Sequence, residues 1–381
     1  MAGESKRVST FSELGKTTNE HGTYDFTGVV GQYDAYRPQW SRDFALYSLH
    51  KAGIYFADGQ WHGITGDKPT VVCVGSGTGA DAGEFVKLGC RVFYIDSGYF
   101  TTIQDAGKLN EAAMLEKARD NLLAIQQAMI ENPPPTGVGE AVILPGTATQ
   151  MDIYGIKIDV AVAAQALHTF RHTHAKAFLN QKQLKTGKPA EEIAREGLLR
   201  LLPQDGRDRF SVWNYNPDPA DPMVRDLHDI LRKVSESYAA SSSPLLKADY
   251  FRLGSALPYI NGSEITVSDL NEVDVVELKE DNLEDWFTSD SFGKAMQSNT
   301  EQFANTLGAL KAWHNKYKDG DGVLRLRYVG QVVQGPVRSD ALTLDPDVLN
   351  TVHQHPVDIV DPLYNEGHKP PRARKILRHD I

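Results

Sequence analysis

Between Pro69 and Tyr215, short apolar runs rich in Val, Ile and aromatic residues alternate with longer stretches whose apolar positions recur at helical spacing. Strands of a parallel sheet are buried on both faces and read as near-continuous apolar runs, and the helices between them carry a single apolar stripe, so this alternation predicts βαβ units. Strands are expected at 69–74 (PTVVCV), 91–95 (RVFYI), 140–146 (EAVILPG), 158–164 (IDVAVAA) and 208–215 (DRFSVWNY). Helices are expected at 41–53, at 80–88, at 109–131 ahead of Pro133-Pro134-Pro135, and at 174–202 with a break at Thr186-Gly187-Lys188-Pro189. After Tyr215 the turn-rich stretch 216–222 (NPDPADP) opens a region, 222–320, that reads mostly as helix with strand-like pieces at 264–268 and 273–279. A last β run, 323–333 (VLRLRYVGQVV), follows the turn Asp319-Gly320-Asp321-Gly322 and is expected to return to the main sheet.

The expected architecture is therefore an α/β core over 24–221 and 321–335, a mostly helical cap or substrate region over 222–320, a flexible arm over 1–23 and a loop-like tail over 336–381. The tail closes on a basic cluster, Lys369, Arg372, Arg374, Lys375 and Arg378, which reads as a solvated end. There is no internal repeat.

Composition narrows the function. The chain has 381 residues, with 50 acidic against 40 basic side chains and a net charge of -10, which argues against a nucleic-acid partner. With 41% hydrophobic residues a core is supportable, and no stretch approaches the roughly 18 consecutive apolar residues of a membrane span. The start, MAGESKRVSTFSELGK, lacks the apolar run of a secretory signal, so a cytoplasmic protein with no membrane partner is expected. Cys73 and Cys90 both lie in apolar runs and indicate no disulfide framework, and Asn261-Gly262-Ser263 is accordingly not read as a glycosylation site. The length exceeds one domain of about 100 to 200 residues, and the excess falls after Tyr215.

The chemistry concentrates in Val74-Gly75-Ser76-Gly77-Thr78-Gly79, three glycines at alternate positions between a buried strand and a helix. Glycine permits positive φ and close approach of a ligand to the backbone. Asp96 ends the next strand, where an acid can accept two hydrogen bonds from ribose hydroxyls. The two features together indicate an adenosine-type cofactor. A dinucleotide fold prefers G-x-G-x-x-G, whereas here the pattern is G-x-G-x-G with Ala80 in the dinucleotide third-glycine position; NAD stays open on spacing but is disfavoured.

The segment Val71 to Asp96, VVCVGSGTGADAGEFVKLGCRVFYID, resembles the S-adenosylmethionine motif of class I methyltransferases. Met114-Leu115-Glu116-Lys117-Ala118-Arg119 looks like the helix after the ribose acid, with about a dozen extra residues between them. Gly146 to Met151 (GTATQM) resembles the stretch flanking adenine, and Asp159 to Phe170 (DVAVAAQALHTF) resembles the fourth strand of that family with its Gln-Ala-x-His-x-Phe ending. Upstream, Tyr33 to Pro38 (YDAYRP) resembles the entry motif of the branch that holds trans-aconitate and fungal small-molecule methyltransferases. The resemblance covers roughly 24–216 and more loosely 273–335, and it departs from the family at Cys73, where the first strand often carries an acid.

This resemblance implies a Rossmann-like, seven-stranded sheet and S-adenosyl-L-methionine as cofactor. It implies that Arg37 and Tyr33 grip the methionine carboxylate, a task suited to the paired donors of a guanidinium; Arg37, directly before Pro38, is expected on a restrained, extended entry segment. By the same resemblance Gly75, Ser76 and Gly77 line the methionyl portion, Asp96 holds the ribose, and Thr147, Ala148 and Met151 flank the adenine. Gln165 and His168 follow the fourth strand, where ligands gather outside the carboxyl ends of parallel strands, and His168 is the candidate catalytic group, as a base or as a shaper of the pocket. His168, His172 and His174 are joined by no carboxylate or Cys at zinc-like spacing, so no metal is expected. The aromatics Trp286, Phe287, Phe292 and Trp313 are candidates for a pocket lid, most of them expected to be core, while Trp213 and Tyr215 lie nearer the expected substrate side. The expected activity is methyl transfer to an oxygen, nitrogen or sulfur of a small-molecule metabolite. The alternatives are a non-methylating enzyme that binds the same cofactor and an NAD-dependent oxidoreductase.

Overall fold

The structure is a computed structural model that describes residues 30–96, 113–145, 148, 156–166, 187–188, 190–218, 220–234, 259–260, 266–289, 293, 296–297, 300–339, 358–359 and 373–375. Its elements run α1 (Val30–Tyr36), α2 (Arg42–Lys51), β1 (Tyr55–Ala57), β2 (Gln60–His62), β3 (Thr70–Val74), α3 (Ala80–Lys87), β4 (Arg91–Asp96), α4 (Ala113–Glu131), β5 (Glu140–Pro145) and β6 (Val160–Ala164). They continue with α5 (Ala190–Leu201), β7 (Phe210–Pro217), α6 (Pro222–Val234), β8 (Thr266–Leu278), a 3-10 turn at Glu280–Asn282, α7 (Leu283–Thr288), α8 (Thr300–Tyr317), β9 (Leu324–Gly335), β10 (Asp358–Ile359) and β11 (Ala373–Lys375).

The main sheet has the strand order β10-β11-β8-β9-β7-β6-β3-β4-β5. Pairing is parallel for β4 with β5, β3 with β4, β3 with β6 and β6 with β7, each as the intervening helix requires. Without its two short end strands this is a seven-stranded mixed sheet with one antiparallel strand, β9, and it is the Rossmann-like order expected of a class I methyltransferase. The two strand-like pieces at 264–268 and 273–279 form one 13-residue strand, β8, next to β9. In the stretch read as a loop-like tail, β11 pairs antiparallel with β8, Ala373 opposite Ser268, and β10 pairs with β11. A small hairpin, β1 with β2, had no counterpart in the reading of the sequence; its turn residues Asp58 and Gly59 both have positive φ, 50° and 76°.

The chain divides into two compact units. The larger comprises Gln39–Tyr215, Phe251–Asp274 and Val329–Ile381. All five residues of β3 (TVVCV) and all five of β6 (VAVAA) are buried, because both faces of the parallel strands are covered. Alternation along β3, β4 and β7 sends Val72, Val74, Phe93, Ile95, Phe210 and Val212 to one face, where they pack with Ala194, Leu198 and Leu201 of α5 and with Tyr259 and Ile260. On the other face Trp213 stacks on Phe85 of α3 at 5.3 Å and meets Phe44 of α2 and Trp40 at 5.4 Å each. The Trp213 indole donates to Ser48 Oγ at 2.9 Å and Ser211 Oγ at 3.0 Å, so the largest buried side chain has its polar atom satisfied. Gly330 is required here by space, since a Cβ would lie 2.2 Å from Phe44 and 2.4 Å from Val273.

At the amino ends of the parallel strands Asp159, fully buried, accepts hydrogen bonds from Thr65 N and Oγ1 at 3.0 Å each and from Thr70 N at 2.9 Å. Arg209 donates to the Asp159 carbonyl at 2.8 Å and forms a paired contact with both carboxylate oxygens of Asp205, 2.9 and 2.7 Å away. Cys73 and Cys90 are both buried and free.

The smaller unit comprises Met1–Pro38, Asn216–Tyr250 and Val275–Tyr328. Helices α6 and α8 pack together there; Trp313 donates to the Met223 carbonyl at 2.9 Å and stacks with Trp286 at 6.1 Å. Trp286, Phe287 and Trp313 are 5%, 1% and 2% exposed, so these three lid candidates are core; Phe292 lies outside the described residues. No helix among the described residues is long and apolar enough to cross a membrane.

Candidate functional site

The glycine loop joins β3 to α3 at the carboxyl end of the sheet. Gly75, Gly77 and Gly79 take φ of 70°, 56° and 80°, the left-handed region that side chains avoid. Gly75 is also fixed by space, because a Cβ there would stand 2.7 Å from that of Ala166 in the segment after β6. Gly79 is the N-cap of α3, and its amide closes back on the Ser76 carbonyl at 2.8 Å.

The loop is anchored on several sides. Gly75 N donates to the Ile95 carbonyl at 2.8 Å, Gly77 N to the Asp96 carboxylate at 3.3 Å, and the Tyr94 hydroxyl to the Gly77 carbonyl at 2.5 Å. Asn121 of α4 holds the Thr78 carbonyl at 3.1 Å. Beneath the loop Ser76 Oγ donates to the carboxylate of Asp81, 2.9 Å away and 1% exposed. Burial pushes the Asp81 carboxyl up to about 7, against the opposing pull of its bonds to Ser76 and to the amides of Ala82 and Asp81; Asp96 adds a smaller upward push. Burial likewise raises the Cys73 thiol well above its ordinary value, with Asp81 adding to the rise and the Ser76 hydroxyl opposing it.

The structure thus brings Gly75, Ser76, Gly77 and Asp96 into one hydrogen-bonded group. Gln165, at the end of β6, has a positive φ of 51°; its amide NH₂ donates to the Tyr215 carbonyl at 2.7 Å. Ala148 is buried in the cluster against α5 that includes Ile95 and Ala166. Thr147, Met151 and His168 lie outside the described residues, as do His172 and His174. Among the described residues no group of three or more His, Cys, Asp or Glu could hold a metal.

In the smaller unit Tyr33 and Arg37 lie together. Helix α1 runs to Tyr36 and stops short of Arg37, the residue expected on the extended entry segment; Arg37 N closes a last turn on the Tyr33 carbonyl at 3.0 Å. Pro38 has no N–H to continue the ladder, so the helix stops there. Four-residue spacing on a helix then lays the Arg37 guanidinium over the Tyr33 ring, 5.0 Å from its centroid, with one nitrogen 3.4 Å from the Ser289 carbonyl. Tyr36 beside them is raised by burial and then by Asp285, while Asn282 lowers it.

Reading the sequence missed Tyr94, Asn121 and Asp81 as loop residues. Asp81 had a visible signal, an acid in the first turn of a helix entered through glycine. Tyr94 and Asn121 had none, since each looked like an ordinary strand or helix residue. Trp213, read as lying nearer the substrate side, is fully buried against Phe85, Phe44 and Trp40.

No family model matches the chain, and neither does any curated protein. Solved structures are similar at low identity. A protein of Anaeromyxobacter dehalogenans described as a candidate type II methyltransferase is 16% identical with a TM-score of 0.43, covering 80% of this chain and 98% of its own. An S-adenosylmethionine-dependent methyltransferase of Thiobacillus denitrificans, in complex with S-adenosyl-L-homocysteine, is 12% identical with a TM-score of 0.34, covering 83% of this chain and 99% of its own. Another from Geobacter sulfurreducens, in complex with the same molecule, is 13% identical with a TM-score of 0.32, covering 71% and 85%.

Proposed function

We propose that the protein is an S-adenosylmethionine-dependent methyltransferase acting on an oxygen, nitrogen or sulfur of a small-molecule metabolite. The observation that carries this reading is the glycine loop bonded to the end of β4, with the Asp96 carboxylate 3.3 Å from Gly77 N. Three left-handed glycines leave the backbone open to a ligand at alternate positions, and an acid stands at the end of the next strand where ribose hydroxyls need an acceptor. The residues present fit this cofactor: Gly75, Ser76 and Gly77 would line its methionyl part, and Asp96 would exchange its loop amide for, or share it with, a ribose hydroxyl.

When bound, S-adenosylmethionine supplies an electrophilic methyl on a sulfonium. This chain's own residues hold the ribose, cradle the amino-acid portion and keep the loop in one conformation. Holding nucleophile and methyl in line can contribute up to about 7 to 11 kcal/mol, so positioning is the expected main source of rate. Within the same proposal Tyr33 and Arg37 bind the carboxylate, Thr147, Ala148 and Met151 flank the adenine, Gln165 shapes the strand end, and His168 faces the acceptor and takes its proton where the acceptor is a phenol or amine. A small carboxylic acid, as in the trans-aconitate branch, is one acceptor class that this reading includes.

Calorimetric titration with S-adenosylmethionine, S-adenosyl-L-homocysteine and NAD tests the proposal. The first two are expected to bind and NAD is not; binding of NAD alone would overturn it. Incubation of a metabolite extract with methyl-labelled cofactor then separates methyl transfer, seen as a labelled product, from cofactor binding without transfer.

A further inference from the structure

Asp81 is a buried carboxylate that the proposed chemistry does not use. It lies in the first turn of α3, 1% exposed, and its immediate surroundings are mostly apolar: Ala82 and Phe85 follow it on the helix and Cys73 faces it from β3. A carboxylate in such a place is unfavourable unless its oxygens are occupied. They are occupied by the backbone amides of Asp81 and Ala82 and by the hydroxyl of Ser76. The amide contacts belong to the helix start, but the Ser76 contact does something different. Ser76 sits between Gly75 and Gly77, both in the left-handed region, so its backbone is flanked by the two most permissive residues of the loop. A hydroxyl pinned from below removes that freedom at the middle of the loop.

We propose that Asp81 is a positioning residue for cofactor binding, a carboxylate under the glycine loop that fixes Ser76 and, through it, the path of the backbone from Gly75 to Gly77. The assignment rests on the cofactor reading of the loop for its purpose, and on the buried Ser76 to Asp81 bond for its existence. The charged group that acts on Asp81 among the described residues is Asp96 at the end of β4, which raises its carboxyl; the Cys73 thiol on β3, its own titration pushed well up by burial, is neutral beside it. The ionised acid accepts the hydroxyl most strongly, so the loop is held best above neutral pH and loosens as the pH falls through about 7.

Hydrogen exchange of the full chain without ligand, at pH 8, reads the loop directly. Asp81→Asn and Ser76→Ala are each expected to speed exchange in the peptide spanning the glycine loop, and the double variant is expected to do no more than either alone. In titrations with S-adenosyl-L-homocysteine both variants lose roughly tenfold in affinity, the size of one charge-assisted hydrogen bond. Wild-type affinity falls as the pH drops from 8 to 6, while that of Asp81→Asn stays level. Moving the acid to the neighbouring strand, in the double variant Cys73→Asp with Asp81→Asn, is expected to recover part of the affinity, which a simple packing role would not allow. Unchanged loop exchange in Asp81→Asn, or fully additive effects with Ser76→Ala, would overturn the assignment. Failure of the wild type to bind S-adenosyl-L-homocysteine, with the exchange response intact, would remove the cofactor reading and leave the loop contact established.

Discussion

Two carboxylates are buried at opposite ends of the same parallel strands, and they are held differently. Asp159, at the amino ends, accepts three hydrogen bonds from a neighbouring turn and strand, with Arg209 bound to its own carbonyl. Asp81, at the carboxyl ends, accepts one side-chain hydroxyl and the amides of its own helix turn, and burial lifts it to about 7. One acid joins segments far apart in sequence and belongs to the frame. The other touches a loop five residues away, at the end where a parallel α/β sheet gathers its ligands. A buried acid at one end thus fastens the fold, and at the other it holds the glycine loop.

The largest test of this contrast uses pH. The folded Asp81 carboxyl lies above its ordinary value of 3.8, so between about pH 4 and pH 7 the folded chain keeps a proton that the unfolded chain has lost. Its contribution to stability is full at the acid end of that window, declines as the pH rises, and is gone above about 7. Urea denaturation of wild type and Asp81→Asn should show the difference between them shifting by up to about 4 kcal/mol across the window, in favour of the variant at pH 7. A constant difference across the window would remove the raised value of Asp81 and with it the pH side of the contrast.

Asp159→Ala leaves the buried Thr70 amide unsatisfied and frees the exposed Thr65, and should cost about 2 kcal/mol by urea midpoint, with little change in cofactor affinity per folded molecule. Asp96→Ala should do the reverse: about 2 kcal/mol, near thirtyfold, lost from S-adenosyl-L-homocysteine affinity by calorimetry, with the denaturation midpoint nearly unmoved. The smallest effect belongs to Arg91→Ala. Arg91 meets Glu140 at 2.8 Å with side chains 32% and 44% exposed, and a solvent-screened pair of this kind should change stability by less than about 1 kcal/mol, less still at high salt.

The core strands were legible because a strand buried on both faces has to be apolar throughout, and β3 and β6 are. The glycine loop was legible for a related reason, since left-handed backbone leaves few residue choices. What could not be read was contact across the fold. Tyr94 reaches the Gly77 carbonyl only because β4 lies beside β3 in a particular register, and Asn121 reaches Thr78 only because α4 packs on α3. The entry segment was legible in part: the restriction that Pro38 puts on Arg37 could be read, but not that the residues up to Tyr36 form a helix whose last turn the Arg37 amide closes. The Asp58-Gly59 hairpin was present in the sequence as an Asp-Gly turn signal and went unread because its flanking strands are only three residues long.

The tryptophans make the two units separately observable. Trp40, Trp61 and Trp213 belong to the larger unit and Trp286 and Trp313 to the smaller, and these are all five in the chain. Trp213, fully buried with its indole nitrogen bonded, should emit at short wavelength and shift red only when the aromatic cluster on α2 and α3 opens. The stacked pair Trp286 and Trp313, 6.1 Å apart and 18° from parallel, should instead give a coupled near-ultraviolet dichroism band. Following the emission of a Trp286→Phe, Trp313→Phe variant beside the dichroism of the wild type on melting would show whether the glycine-loop unit and the helical unit lose their order together, without any added label.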